Sequence, residues 1–393
     1  HFVIRDLVKE TLKGITPKYL IESNIIVLNQ KCIRNNKINY KYARYHDPKK
    51  LFDNKKKVQV GDILINSTGE GTLGRSVFVK NLIKNKTVIL DSHILIVRIS
   101  DFYTAGCLQF ILYSIQDQLQ SFKEGSTGQG EFDKERLFNI NGFLPSKKNR
   151  KSIFEALSAI EFKVEINTQI SIKLKSIAKT IFDYWFVQFD FPDKDGNPYK
   201  SSGGNMVYND LIKREIPDGW SVTLIKEVIS TSSNSVKLKK NEIMSKGKYP
   251  VIDQGSKFIS GYTNRVDALV KSKPIHIVFG DHSANIKFVN FDFARGADGT
   301  QVLYSNNPRL GSVGLYFSLL NTNIKSSGYA RHFKFLKECK IILPINDIST
   351  KFENKIMSNF QAIETLRKEN EHLLELRDWL VPMFMNGQLS LNT

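Results

Sequence analysis

Residues 182–210 read FDYWFVQFDFPDKDGNPYKSSGGNMVYND. Six aromatic side chains fall between Phe182 and Phe191, and a run dense in Asp, Gly, Asn, Pro and Ser follows. The first part has the character of a hydrophobic helix end. The second is turn chemistry, because each of those residues is favoured where the backbone reverses. A break of this kind in mid-chain marks where one folded block stops and another begins, so internal repetition is the first thing to test.

The chain repeats itself. An offset of 199 sets Leu144-Pro145 on Leu343-Pro344, and an offset of 200 sets Ser126-Thr127-Gly128 on Ser326-Ser327-Gly328. At an offset of 224, Val27-Leu28-Asn29-Gln30 matches Val251-Ile252-Asp253-Gln254. The offset drifts where loops differ in length and locks where a rigid element follows. Positions 352, 356, 359, 363, 366, 370, 373, 377 and 380 step by four and three residues, as do Ile153, Leu157, Ile160, Val164, Asn167, Ser171, Leu174, Ala178 and Ile181 at an offset of 199. Both rows are heptad seams without internal Pro or Gly, each about 42 Å long. Two seams in matching register predict partners in one coiled coil. Their polar members (Asn167, Ser171, Asn359, Asn370 and Arg377) then set register at some expense of stability.

The blocks before the seams differ in character. Residues 60–67, 75–81, 93–100, 276–280, 286–290 and 301–305 are short, β-branched and bounded by turn residues, which predicts strands. Residues 102–122 and 314–324 predict short helices. The fold class expected is α+β: two tandem mixed α/β domains joined by two long helices forming an antiparallel coiled coil with pseudo-twofold symmetry. The boundaries expected are 1–145 for the first domain, 146–190 for the central helix, 191–220 for the crossover, 221–345 for the second domain and 346–393 for the distal helix.

At 393 residues the chain is too long for one ordinary domain, and its 41% hydrophobic and 11% aromatic content is that of a globular protein able to build sizeable cores. No apolar run reaches the length of a membrane span, and the opening residues HFVIRDLVKETLKG do not read as an apolar segment with a small-residue cleavage site. Three cysteines without metal-like spacing point to a reducing cytoplasm and no disulfide framework. A net charge of +18 is spread over both halves, which favours an extended anionic partner, nucleic acid first.

Gly69-Glu70-Gly71-Thr72-Leu73-Gly74 fits the dinucleotide-binding spacing, but that site needs a helix opening at the last glycine. A strand pattern follows instead, so a glycine-rich hairpin loop is expected. Its Ser67, Thr68, Gly69, Gly71 and Arg75 are candidate DNA contacts. The segments Ser126–Gly130 and Ser327–Arg331 occupy equivalent places in the two halves. They offer Thr127, Gln129, Tyr329 and Arg331 to phosphates and base edges, since glutamine pairs with adenine and arginine with guanine. Gln30, Lys31, Gln254 and Lys257 share this character, and His282 completes the candidate set. No HExxH, GxSxG or CxxC pair occurs. The one near match to a methyltransferase tetrapeptide, Asn307-Pro308-Arg309, lacks its second proline and aromatic. No catalytic residue and no metal ligand is assigned.

Three stretches carry a resemblance: Trp185 to Pro192 with Gly196 to Gly204; Arg214-Glu215-Ile216-Pro217-Asp218-Gly219-Trp220; and Leu376 to Met383 with Asn386-Gly387-Gln388. The first two resemble the central conserved region, and the third the distal region, of DNA-specificity subunits of type I restriction–modification enzymes. The family's short N-terminal segment with a Trp is short or cut here, the chain starting at His1. The resemblance implies a non-catalytic subunit that reads a bipartite duplex target and scaffolds two methyltransferase and two restriction (motor-nuclease) subunits. On that view adenine-N6 methylation with S-adenosylmethionine, and cleavage with ATP and magnesium, belong to the partners, and this chain needs no cofactor. Trp185, Phe186, Phe189, Trp379 and Met383 are the expected partner-facing residues. The alternative is a stand-alone DNA methyltransferase or nuclease with an unrecognised active site.

Overall fold

The computed structural model describes residues 1–124, 130–232, 235–296, 298–322 and 331–390. The chain forms two compact units. The first takes His1–Glu165 together with the chain from Asn370 onward, and the second takes Ile166–Glu369.

The first unit is built on two four-stranded sheets. One is antiparallel, in the order Val8–Lys13, Ile94–Ile99, Ile63–Asn66, Ser76–Phe78. Its central strands are buried on both faces, which accounts for their continuous apolar sequence (ILIN, ILIVRI) in place of alternation. The other runs Thr87–Leu90, Ile25–Leu28, Arg44–His46, Tyr19–Leu20, and its first pair is parallel. The helix Phe102–Ser114, capped by the Asp101 carboxylate on the Thr104 N–H at 2.7 Å, packs on the first sheet. Phe2 and Val3 pair with Asn141 and Gly142 to close the unit.

The second unit repeats the antiparallel sheet and varies the other, in which the parallel pair is central where the first unit has it at the edge. Its antiparallel sheet runs Ile229–Thr231, Thr300–Ser305, His276–Gly280, Ile286–Val289. Its other sheet runs Gly261–Thr263, Tyr249–Ile252, Phe293–Arg295, Leu269–Val270, and again holds one parallel pair. The helix Ser312–Leu320 takes the place of Phe102–Ser114. Ser221–Leu224 pairs with Lys340–Leu343 to close the unit, as the chain ends of the first unit do.

The central helix, Lys147–Phe182, and the distal helix, Asn346–Met385, are continuous elements of 36 and 40 residues. Every expected seam position on both helices is buried or half-buried. In the second unit Asn167 Nδ2 donates to Glu369 Oε2 at 2.8 Å, and Asn359 Nδ2 donates to the Leu174 carbonyl at 3.4 Å. Phe182, Trp185 and Phe186 meet Phe352 with ring centroids 5.9, 5.7 and 4.8 Å apart. Numbers rising along one helix meet numbers falling along the other, so the pairing is antiparallel. In the first unit Ile153, Leu157, Val381 and Phe384 share one core. There the buried Arg377 lies 3.9 Å from Glu161 and sits over the Tyr113 ring.

The aromatic run that ends the central helix is core. The helix widens into a π turn at Asp183–Val187, and Phe189 then takes a left-handed φ of 67°, which reverses the chain. Phe186, Phe189 and Phe191 converge on Trp220, and Phe191 also stacks on Tyr199 at 4.6 Å. Trp185, Phe186 and Phe189 are therefore not on a partner-facing ridge as expected from sequence. They are at most 9% exposed because burying their large rings stabilises their own unit. Trp379 is 55% exposed and Met383 half-buried, so of the five these two retain accessible surface.

His276, on the central strand His276–Gly280, is buried between Phe293 and Tyr304 with no hydrogen-bond partner on Nδ1. Burial pushes its imidazole down to about 4, so the folded state requires the neutral ring. The unfolded chain takes up that proton as pH falls below about 6.5, so stability drops between there and about 4. A His276→Leu variant is expected to lose one proton's share of the stability slope over that window. Urea unfolding at a series of pH values measures it, and an unchanged slope contradicts the assignment.

Candidate nucleic-acid interface

In both units, three loops converge at the same end of the sheets. In the first unit they are the turn after Ile25–Leu28, which carries Gln30 and Lys31, the hairpin loop 67–75, and the connection 91–93. In the second they are the turn after Tyr249–Ile252, which carries Gln254 and Lys257, the loop 281–285, and the connection 296–299. Ala297 in the last of these lies outside the described residues.

The glycine-rich loop of the first unit is a hairpin between antiparallel strands, with no helix opening from it. Asn66 closes it: Nδ2 donates to the Gln30 and Thr72 carbonyls at 3.0 and 3.2 Å, and its carbonyl accepts from Gly74 N–H at 2.9 Å. Gly69 has a φ of +97°, and a Cβ there would stand 2.4 Å from Gln30 Oε1. Glycine is thus required both for the turn and for the glutamine lying against it. That Gln30 oxygen is buried and accepts no hydrogen bond. Gln30, Thr68, Gly69, His93, Gln120 and Lys123 line a single cleft.

Ser67 is fully buried, with its N–H donating to the His93 carbonyl at 2.8 Å and its carbonyl accepting from Phe132 N–H at 2.8 Å. It is a strand-end residue of the core, which corrects its expected role as a DNA contact. Arg75 is half-buried, its Nη2 donating to the Gly71 carbonyl at 2.5 Å. Burial and then the Arg34 charge push its guanidinium below the usual arginine range. A cation held beside another cation in a partly desolvated place gains when an anion arrives. Lys31 and Gly71 are exposed.

The second unit is held more tightly. Gln254 Nε2 donates to the Asp298 carbonyl at 2.9 Å, and its Oε1 accepts from the His282 N–H at 3.1 Å. The Gln254 carbonyl accepts from Ser283 Oγ at 2.6 Å and Asn285 Nδ2 at 3.0 Å. Buried Lys287 donates to the Asp253 and Lys257 carbonyls at 2.8 and 2.5 Å, leaving the Lys257 side chain exposed. Burial pushes the Lys287 amine down and the nearby Asp253 charge opposes that. Asp281 caps the helix His332–Lys337, accepting from the N–H groups of His332 and Phe333 at 2.9 Å each, so exposed Arg331 stands next to the His282 loop. Thr127, Gln129 and Tyr329 lie outside the described residues.

The structure therefore brings Gln30, Thr68, Gly69 and Gly71 together in one unit, and Gln254, Lys257, His282 and Arg331 in the other. His93, read from sequence as an ordinary core or surface histidine, is exposed at the mouth of the first cleft with Nδ1 2.7 Å from Thr68 Oγ1. Its signal was its place one residue before a strand, opposite the Gly-rich loop. Among the described residues no group of three His, Cys, Asp or Glu side chains is placed to hold a metal ion, and no helix is long and apolar enough to cross a membrane.

No family model matches the chain. Over 442 aligned positions it is 22% identical to the type I restriction enzyme HindI specificity subunit of Haemophilus influenzae, covering 93% of this chain and 94% of that protein. It is 23% identical over 299 residues to the type I restriction enzyme MjaIX specificity subunit of Methanocaldococcus jannaschii, covering 70% of this chain and 66% of that one. The fold aligns with the crystal structure of the type I restriction–modification S subunit from M. genitalium with a TM-score of 0.53 at 15% identity, over 98% of this chain and 95% of that one. These findings bear out the resemblance to type I specificity subunits drawn from the central and distal motifs.

Lys287→Met is expected to release the turn 253–258 while leaving the strand His276–Gly280 intact. Hydrogen exchange should quicken at the amides of residues 255–260 and remain slow at 276–280. Unchanged protection in the turn would show that the lysine does not hold it.

Proposed function

We propose that this chain is the non-catalytic, sequence-reading subunit of a type I restriction–modification complex. Each unit reads one half of a split duplex target through its three convergent loops, and the antiparallel helices carry both readers. The observation that carries this reading is the repetition: the same loops, at the same end of equivalent sheets, each gathered around a glutamine, in a chain of net charge +18. Lys31, Arg75, Lys257 and Arg331 supply phosphate contacts, which fix register without reading sequence. Methyltransferase subunits, which bind S-adenosylmethionine, seat on the exposed faces of the long helices, with Trp379 and Met383 among their contacts. Motor-nuclease subunits, with ATP and magnesium, complete the cytoplasmic assembly.

Arg75→Ala and Lys257→Ala each remove one cation from this contact set. Each is expected to weaken duplex binding and to shallow the slope of log K against log salt by about 1. Fluorescence anisotropy across a salt series measures this, and slopes equal to the parent's in both variants would take these residues out of the interface.

A further inference from the structure

Most exposed cations at these loops end flexible side chains, whose ordering costs entropy on binding. Two exposed histidines stand apart: a side-chain partner holds the ring of one, and neighbouring residues tie down the backbone of the other. His93 is held at three points. Its N–H donates to Asp91 Oδ1 at 3.0 Å, its carbonyl accepts from Ser67 N–H at 2.8 Å, and its Nδ1 lies 2.7 Å from Thr68 Oγ1. With Nδ1 engaged, Nε2 is the ring nitrogen left for a ligand, and the ring lines the cleft. His282 is fixed through its neighbours. Its own N–H is taken by Gln254 Oε1, and Asp281 N–H donates to the Gly299 carbonyl at 2.7 Å. Its ring lies against Gly299, which has a φ of +80° and where a Cβ would stand 2.7 Å from His282 Cδ2.

We propose that His93 and His282 are the base-reading side chains of the first and second units, with Thr68 and Gln254 as their positioning residues. The inference rests on the DNA-reading function proposed above and names the groups that give it specificity. An imidazole has one nitrogen to donate and one to accept, and a short stem with few torsions. With one nitrogen engaged, the other donates to a purine acceptor in one tautomer or accepts from an exocyclic amine in the other, and these groups differ between base pairs in the major groove. The two units reach this arrangement differently. The first takes its imidazole from the connection between sheets, and the second takes it from the hairpin loop.

The test is the methylated motif left in a host carrying the full operon, mapped by sequencing. His93→Ala is expected to relax one base position in one half of the motif, lowering the preference there about tenfold or more, and to leave the other half intact. His282→Ala is expected to do the same in the other half only. Thr68→Val should reproduce the His93→Ala motif, while Thr68→Ser, which keeps the hydroxyl, restores the parent's. Gln254→Ala should relax the same position as His282→Ala and add nothing in the double variant. An unchanged motif in both histidine variants overturns the proposal, whether or not methylation falls overall, because it puts the rings at the backbone or outside the interface. Relaxation of the same half by both histidines overturns it too. An unmutated operon that leaves no methylated motif is a separate failure: the DNA-reading function falls, and this inference with it.

Discussion

The structure depends on the packing of the central helix end against Phe352 and Trp220. Phe182, Trp185 and Phe186 press on Phe352 from one helix to the other, and Phe186, Phe189 and Phe191 converge on Trp220. Aromatic pairs of this kind add about 0.5–1.5 kcal/mol each beyond the area they bury. Apolar packing alone is not directional. The polar seam supplies direction, because Asn167 reaches Glu369 and Asn359 reaches the Leu174 carbonyl only when the helices run opposite ways. One set of contacts thus holds the helices together and the other fixes how they align.

The strands nearest the core are buried on both faces and rigid, and the residues that face solvent lie where those strands end. In the first unit a glycine with positive φ admits the Gln30 side chain, and Thr68 fixes His93. In the second a buried lysine and a glutamine tie the three loops to one another. Both arrangements spend internal hydrogen bonds on holding exposed polar groups still. That lowers the entropy lost when a ligand meets them.

Much of this was legible in the sequence, for particular reasons. Strict spacing of four and three residues over four heptads has few structural solutions, and every seam position is removed from full exposure. Strands buried on both faces announce themselves by unbroken β-branched runs such as HILIVRIS. The glycine loop was readable because a strand pattern followed where a phosphate site needs a helix. Other features were not legible. The aromatics at 185, 186 and 189 were expected at a partner surface because periodicity places a residue on a face without saying what covers that face. Phe352 on the distal helix and Trp220 at the end of the crossover do so. Ser67 was taken for a contact because a polar residue beside a loop looks exposed, whereas its backbone joins it to the core. His93 was passed over because a lone histidine carries no spacing signal, and its partner Thr68 is 25 residues away. The strand Val8–Lys13, with no regular alternation of burial, gave no pattern to find.

The claim that the long helices pair antiparallel is tested most directly by distances between spin labels on them. Labels placed at 161 and 377 in one sample, and at 174 and 359 in another, are each expected to give a narrow distribution at short range. Broad, long distributions for both pairs would mean that the helices do not zip together, and the account built on them would be wrong.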